Sequence, residues 1–316
     1  MQQAVGQRPL LGIALVVLAV SCFASMDSAV RYLGGLLPVL LILWARYSFQ
    51  AVSMALWLGL QTLRGRPGMF RAAHPKFQAV RGLLLLATSA MSFYGVQAMP
   101  VPEFTAINML TPVLVTVLAA MVLKEPVSRL RWALVMGGFS GALIVIRPGS
   151  GLFGWAVLFP LAGALFYAAF QTLTARLAAL ENPITTHFYT GLFGTALLTI
   201  LIWLGPFTLM PILAMAPAWQ LGLLLLIGLL GTTGHLFLIL ALGHAPTGTL
   251  MPFVYLQIVV AAAIGWVVFN HAPDGYAWLG MAVLAGCGAL SAWLNVREAQ
   301  ARRTPESAVL RDTIGD

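Results

Sequence analysis

The stretch VPEFTAINMLTPVLVTVLAAMVLKEPVSRLRWALVMGGFSGALIVIRP, residues 101–148, decides the fold class. It reads as two apolar helices joined by a short charged turn at Lys124–Arg131. The first helix carries Asn108, Thr111 and Pro112 inside an otherwise apolar run. A looser copy follows 146 residues later, from Thr247 to Leu294: TGTLMPFVYLQIVVAAAIGWVVFNHAPDGYAWLGMAVLAGCGALSAWL. Its helix–turn–helix rhythm is the same, and Trp278 falls in the place of Trp132. A duplicated, wholly apolar helical pair marks a membrane protein built from internal repeats, in which solute sites lie between the repeats.

Composition points the same way. The 316 residues are 60% hydrophobic and 8% charged, with a net charge of +8, against about 25% charged in an ordinary soluble domain. There is no room for a separate soluble domain. The basic residues lie in connections between helices, as the positive-inside rule expects, and do not argue for nucleic acid. Cys22 and Cys287 sit in distant apolar runs and imply neither a disulfide framework nor a metal site. The first apolar run lacks a small-residue cleavage site and reads as a span, not a removable signal.

Ten runs meet the length of about 20 apolar residues that a span needs, two of them near the lower limit. They are 11–33, 37–60, 82–99, 104–123, 131–147, 153–175, 184–205, 218–242, 247–269 and 276–295. Placing the N-terminus inside puts 14 of the 17 basic residues on the cytoplasmic side, with Arg31 and Arg147 outside and Arg46 within a span. The expected topology has ten spans and both termini in the cytoplasm of a bacterial-type inner membrane. The expected organisation is a five-helix repeat over 1–150, a second over 151–296, and a disordered tail over 297–316. An odd number of spans per half inverts the second relative to the first, which suits alternating access.

Polar residues inside the runs are the candidate solute contacts. Asp27 and Arg46 lie on the first two spans, each roughly 12–15 Å below the outer surface by helical rise. Either they face the solute path, where Arg46 binds a carboxylate, or they form a buried ion pair, or Asp27 pairs with Arg31 one turn on. Tyr94 on the third span joins Asn108 and Thr111 on the fourth, whose spacing puts them on one side of a helix. Pro112 removes a backbone donor and frees the Asn108 carbonyl, a solute contact unless the polar stripe serves interhelical bonding. The second half offers Tyr167 and Gln171, His235 and Tyr255. A free imidazole titrates in the neutral range, so His235 is either a candidate for proton coupling or a hydrogen-bonded packing residue. Glu103 is a second coupling candidate, or a helix N-terminal cap. His187 lies near the start of its span and reads as interfacial.

The residues ARY at 45–47, MPVPEFTAINMLTPVLVTVLAAMVLKE at 99–125 and GGFSGALIVIRPG at 137–149 resemble an EamA-type member of the drug/metabolite transporter superfamily. The resemblance spans about residues 10–296. The second copy departs from it: Ile258 stands at the place of Pro112 and His271 at the place of Glu125. The resemblance implies an all-α membrane fold of ten helices around a central cavity. It also implies a secondary transporter of small polar or amphipathic metabolites. Amino acid or metabolite export is the expected activity, resting on the resemblance and on Arg46. Uptake of a cofactor-like solute of the S-adenosylmethionine or riboflavin type is the alternative. No phosphate loop is present, which argues against an ATP-driven pump, and no HExxH or cysteine cluster is present; an intramembrane enzyme, for which only Asp27–Arg46 lie paired at one depth, and a channel fit less well. The expected partners are a small-molecule substrate and the bilayer, with no cofactor, metal or nucleic acid, in a monomer or homodimer.

Overall fold

Helix boundaries follow the prolines and a few polar caps. A computed structural model of the protein describes residues 9–65, 70–111, 113–114, 118, 129–147, 150, 152–177, 182–206, 209–244, 250 and 253–312, and the regular elements among them are all helical. Helix α1 spans Pro9–Leu33, α2 Val39–Leu63, α3 Pro75–Ala98, α4 Val101–Asn108 and α5 Arg129–Ile146. After a 3-10 turn at Gly154–Val157 come α6 (Leu158–Leu177), α7 (Pro183–Leu204), the short α8 (Leu209–Met215), α9 (Ala218–His244), α10 (Leu256–Phe269) and α11 (Gly275–Asp312). Pro75 and Pro183 stand in the first turns of α3 and α7, where the missing N–H has no helical partner to lose. The Asn182 side chain caps α7 by accepting the Ile184 N–H at 2.9 Å. Helix α10 ends at Asn270 in the left-handed region (φ 51°), and the His271 N–H closes onto the Gly265 carbonyl at 3.0 Å.

Among the described residues, six helices are long and apolar enough to cross a membrane: 10–33, Val39–Leu63, Pro75–Ala98, Gly154–Thr174, Ile184–Leu204 and Ala218–Leu238. Three shorter apolar helices, Trp132–Ile146, Leu256–Phe269 and Gly275–Ser291, accompany them. Parts of the expected spans 104–123 and 247–269 lie outside the described residues, as do Lys124 and Glu125.

The structure departs from the expected boundaries at three places. The third span begins at Pro75, not 82, because its polar first turns find buried partners through Gln78 and Arg81. The fourth begins at Val101 and is interrupted at Met109–Leu110, where Met109 N–H is shared between the Thr105 and Ala106 carbonyls. Pro112 has no N–H to offer the Asn108 carbonyl, and the Thr111 hydroxyl donates to it instead at 2.8 Å. Tyr255, 146 residues after Met109, interrupts the helix that leads into α10. The last helix runs on to Asp312, where the sequence reads as disordered from Glu298; its Ala, Arg, Glu and Leu content favours helix.

Packing runs mainly between the halves. Helix α1 packs on α9 and α10, α2 on α7 and α9, α3 on α6 and α7, α4 on α10 and α6, and α5 on α11. Exchanging α1 with α6, α2 with α7, α3 with α9, α4 with α10 and α5 with α11 returns each of the interfaces just named.

Candidate functional site

The buried polar groups collect where α1, α2, α3, α7 and α9 meet. Helix α2 presents Arg46, Tyr47 and Gln50 on one buried face. Arg46 is 2% exposed, and its guanidinium donates to the Ser89 hydroxyl of α3 at 3.2 Å. The Tyr47 hydroxyl shares that serine at 2.9 Å, and the Arg46 guanidinium lies 4.5 Å from the centre of the Tyr47 ring. The room is made by glycine. A Cβ at Gly194 of α7 would lie 2.3 Å from the Tyr47 ring.

Asp27 of α1 is buried within electrostatic reach of Arg46, though no oxygen–nitrogen contact within 4.0 Å joins them among the described residues. Asp27 thus faces Arg46 across a gap. An unmatched charge at the bilayer centre would cost about 2.5–3.5 kcal/mol on insertion scales.

Two imidazoles complete the centre. His235 of α9 donates through Nδ1 to the Gly231 carbonyl at 3.0 Å and meets Phe23 edge-on, with centroids 4.9 Å apart. Its ring stacks on His187 of α7 at 5.8 Å and an interplanar angle of 22°. Gln50 Nε2 donates to the His187 carbonyl at 2.9 Å and to Nδ1 of the same residue at 3.2 Å. The Nε2 atoms of both histidines, and Nε of Arg46, are buried without a hydrogen-bond partner.

A second guanidinium lies beside this centre. Arg81 of α3 donates from Nε to Thr174 of α6 at 2.7 Å, and from Nη1 to the Thr186 carbonyl and Thr190 hydroxyl of α7 at 3.1 and 2.8 Å. It covers the Phe170 ring at 4.6 Å. Tyr167 of α6 is within electrostatic reach of both Arg81 and Arg46.

Among the residues singled out from sequence, the structure thus brings Asp27, Arg46, Tyr167 and His235 together. Gln171 follows one turn after Tyr167 and is half-buried. The buried Asn108 Oδ1 has no partner and faces Gly163 of α6, where a Cβ would lie 3.6 Å away. Thr111 is buried and bonded to the Asn108 carbonyl. Tyr94 is exposed and stacks on Phe159 at 6.3 Å. Tyr255 points to α11, into the space that Gly288 leaves open, and its buried hydroxyl has no partner.

Glu103, in the first turn of α4, belongs to a different cluster at one end of the bundle. It meets His271 Nε2 at 2.9 Å, linking the first half to the second. Arg147 and Asp274 form a second link at 2.7 Å, close in sequence to the first. Asp274 also caps α11: the Ala277 N–H it accepts, with Arg147 beside it, holds its carboxyl below the usual carboxylate range. Alongside lies a cleft of about 290 Å³ lined by Arg31, Pro102, Gly265, Phe269, Asn270 and His271. Arg31 does not pair with Asp27. It donates to the Val96 and Met99 carbonyls that end α3 and lies 5.4 Å from the centre of the Phe269 ring.

Sequence reasoning passed over Arg81, Ser89 and His271. The available signal for Arg81 was Pro75: read as a first-turn proline, it puts Arg81 well inside a helix. His187 is buried, 3% exposed, because Gln50 reaches it from α2, a contact no local pattern announces.

An apolar multi-helix bundle with buried polar groups at its centre is the architecture of a multi-pass membrane protein. The chain belongs to the EamA-like transporter family, whose pattern matches residues 10–147 and again 154–293. It is a multi-pass membrane transporter, not an enzyme. A riboflavin transporter of Rhizobium johnstonii is 29% identical over 309 residues, covering 95% of each chain. An S-adenosylmethionine uptake transporter of Rickettsia prowazekii is 23% identical over 267 residues, covering 83% of this chain and 86% of that one. A pseudopaline exporter of Pseudomonas aeruginosa is 25% identical over 282 residues, covering 89% and 95%. One solved crystal structure superposes with a TM-score of 0.58 at 18% identity, covering 92% of this chain and 97% of the other, a likeness of fold alone.

Proposed function

We propose that this protein is an inner-membrane secondary transporter that takes up a flat, heteroaromatic, cofactor-like solute through the centre around Arg46. The observation that carries this reading is the setting of Arg46 itself. A planar fork of donors, flanked by Tyr47 and matched at a distance by Asp27, is held at the junction of helices from both halves. Such a fork binds ring carbonyls and ring nitrogens in its plane, while nearby Phe23, Tyr47, Tyr167 and His235 supply aromatic surface. The relatives named for riboflavin and S-adenosylmethionine carry solutes with such rings, which favours this class over amino acids.

Transport proceeds by alternating access of two inverted five-helix halves. The exchange symmetry of the helix interfaces and the interruptions at Met109 and Tyr255 support this arrangement. With the N-terminus cytoplasmic, the cleft beside Arg31 opens outward, and the Glu103–His271 and Arg147–Asp274 links clasp the outer face.

Export of a carboxylate-bearing metabolite is the second reading. It is favoured by the match of the Arg46 fork to a carboxylate and by the exporter among the relatives. Counterflow in proteoliposomes separates the two. Preloaded riboflavin or S-adenosylmethionine is expected to drive accumulation of its labelled form, with loss in Arg46→Ala. Counterflow with amino acids and none with either cofactor-like solute would replace uptake by the export reading.

A further inference from the structure

The hydrogen bonds around His187 and His235 assign their protons. Gln50 Nε2 is committed as a donor by the His187 carbonyl at 2.9 Å, so the 3.2 Å contact to Nδ1 makes that nitrogen an acceptor. The His187 ring proton therefore sits on Nε2; the Thr232 backbone carbonyl lies within electrostatic reach of the ring but makes no hydrogen bond to that nitrogen. His235 is the opposite tautomer. Its Nδ1 faces the Gly231 carbonyl at 3.0 Å and must donate, which leaves Nε2 of the neutral ring as a bare lone pair. One imidazole thus offers an N–H, the other an acceptor, on rings stacked at 5.8 Å. Both Nε2 atoms are buried and neither has a hydrogen-bond partner.

Buried polar groups are rarely left unpaired, and two on touching rings call for a common partner. Arg46 and the paired hydroxyls of Ser89 and Tyr47 are occupied with one another. Arg46 still keeps Nε unpartnered as a donor, and the imidazole pair adds beside it the acceptor that a guanidinium lacks. A ring amide or imide presents the complement: a carbonyl oxygen next to an N–H, in one plane. We propose that His187 and His235 together read an adjacent C=O and N–H on the solute's ring. His187 Nε2–H donates to the carbonyl, and His235 Nε2 accepts the ring N–H.

This inference rests on the heteroaromatic reading of the Arg46 centre, and it narrows the solute to rings with an unsubstituted lactam or imide edge. The full chain in proteoliposomes tests it. Riboflavin carries such an edge, and its N3-methyl derivative keeps the ring and charge while losing the N–H. Counterflow by the parent protein is expected to fall at least about tenfold for the methyl derivative, because the histidine nitrogen is left buried and unpaired. In His235→Ala and His187→Ala, checked for folding by size exclusion, riboflavin transport drops and the preference over the methyl derivative collapses. Equal transport of both flavins by the parent protein overturns the inference and leaves the transporter reading standing. A preference that survives in both histidine variants overturns it as well. No transport of either flavin beside intact S-adenosylmethionine counterflow overturns the inference and leaves the heteroaromatic reading; loss of all three solutes overturns both. The flavin pair needs no variant, so the test holds even if a histidine substitution prevents folding.

Discussion

A Cβ at Gly231 would lie 2.9 Å from Nε of Arg46 and 3.1 Å from Sδ of Met26. The absence of a side chain on α9 is what lets the guanidinium pass between α1 and α9 to reach Ser89. Filling that space forces Arg46 out of its place, at a cost of about 1–3 kcal/mol for an overpacked site. Gly231→Ala is expected to lower the counterflow rate about tenfold while the protein still purifies as a single species. Unchanged transport would show that the position of Arg46 is not limiting.

Asp27 and Arg46 balance one another without touching. Asp27→Asn leaves a cation unmatched in the bundle, and about 2.5–3.5 kcal/mol of stability is expected to go with it. The double variant Asp27→Asn/Arg46→Gln is expected to recover most of that loss but none of the transport. Thermal unfolding in detergent measures the first, and counterflow the second. A double variant no more stable than the single would mean that the two charges are screened from each other.

The clasp at the cleft gives a conformational prediction. Glu103→Gln and Asp274→Ala each weaken a link between the halves, so the face they close is expected to open more often. A cysteine at Val101, a buried cleft-lining position at 1% exposure, reports this through labelling by a membrane-impermeant maleimide. Labelling is expected to rise several-fold with both substitutions together, since the exposed Arg147–Asp274 pair alone contributes only about 0.2–1 kcal/mol. No rise would make these links decoration of an already rigid face.

Asp274 predicts a dependence on acid. Its carboxyl is held below the ordinary value, first by the Ala277 N–H and then by Arg147, so folding favours the ionised form. That contribution is complete above the ordinary carboxylate pKa of about 3.9 and is lost as pH falls through the lower folded value. Asp274→Asn is expected to melt about 1–2 °C below the parent at neutral pH, the scale of one weakened helix cap. The gap should narrow steadily toward pH 3. A gap independent of pH would assign the effect to shape and not to charge.

Apolar runs and prolines made the helices and the duplication legible. The rise per residue alone brought Asp27 and Arg46 to a common depth. What stayed hidden were pairings over long separations. Glu103 and His271 stand 168 residues apart, and Gln50 and His187 stand 137 apart. Arg81 reads as a loop charge because the apolar run begins only after it. A membrane helix can begin with polar turns when threonines from its neighbours, here Thr174 and Thr190, receive them. The break at Met109 was foreshadowed by Pro112, three residues after it; the one at Tyr255 has Pro252 three residues before it, and the offset between the copies relates the two.

The interlacing of the halves has a consequence for biogenesis. Helices α1, α2, α3 and α5 have their principal neighbours in the other half, so neither half owns a core. Ribosomes release the first five helices into the bilayer well before their mates exist, with their main packing faces turned to lipid. A chain cut between α5 and α6 would yield two fragments that are degraded when made singly and assemble when made together. Assembly of the whole transporter is a templating event between halves, completed only when the last helix settles against α5.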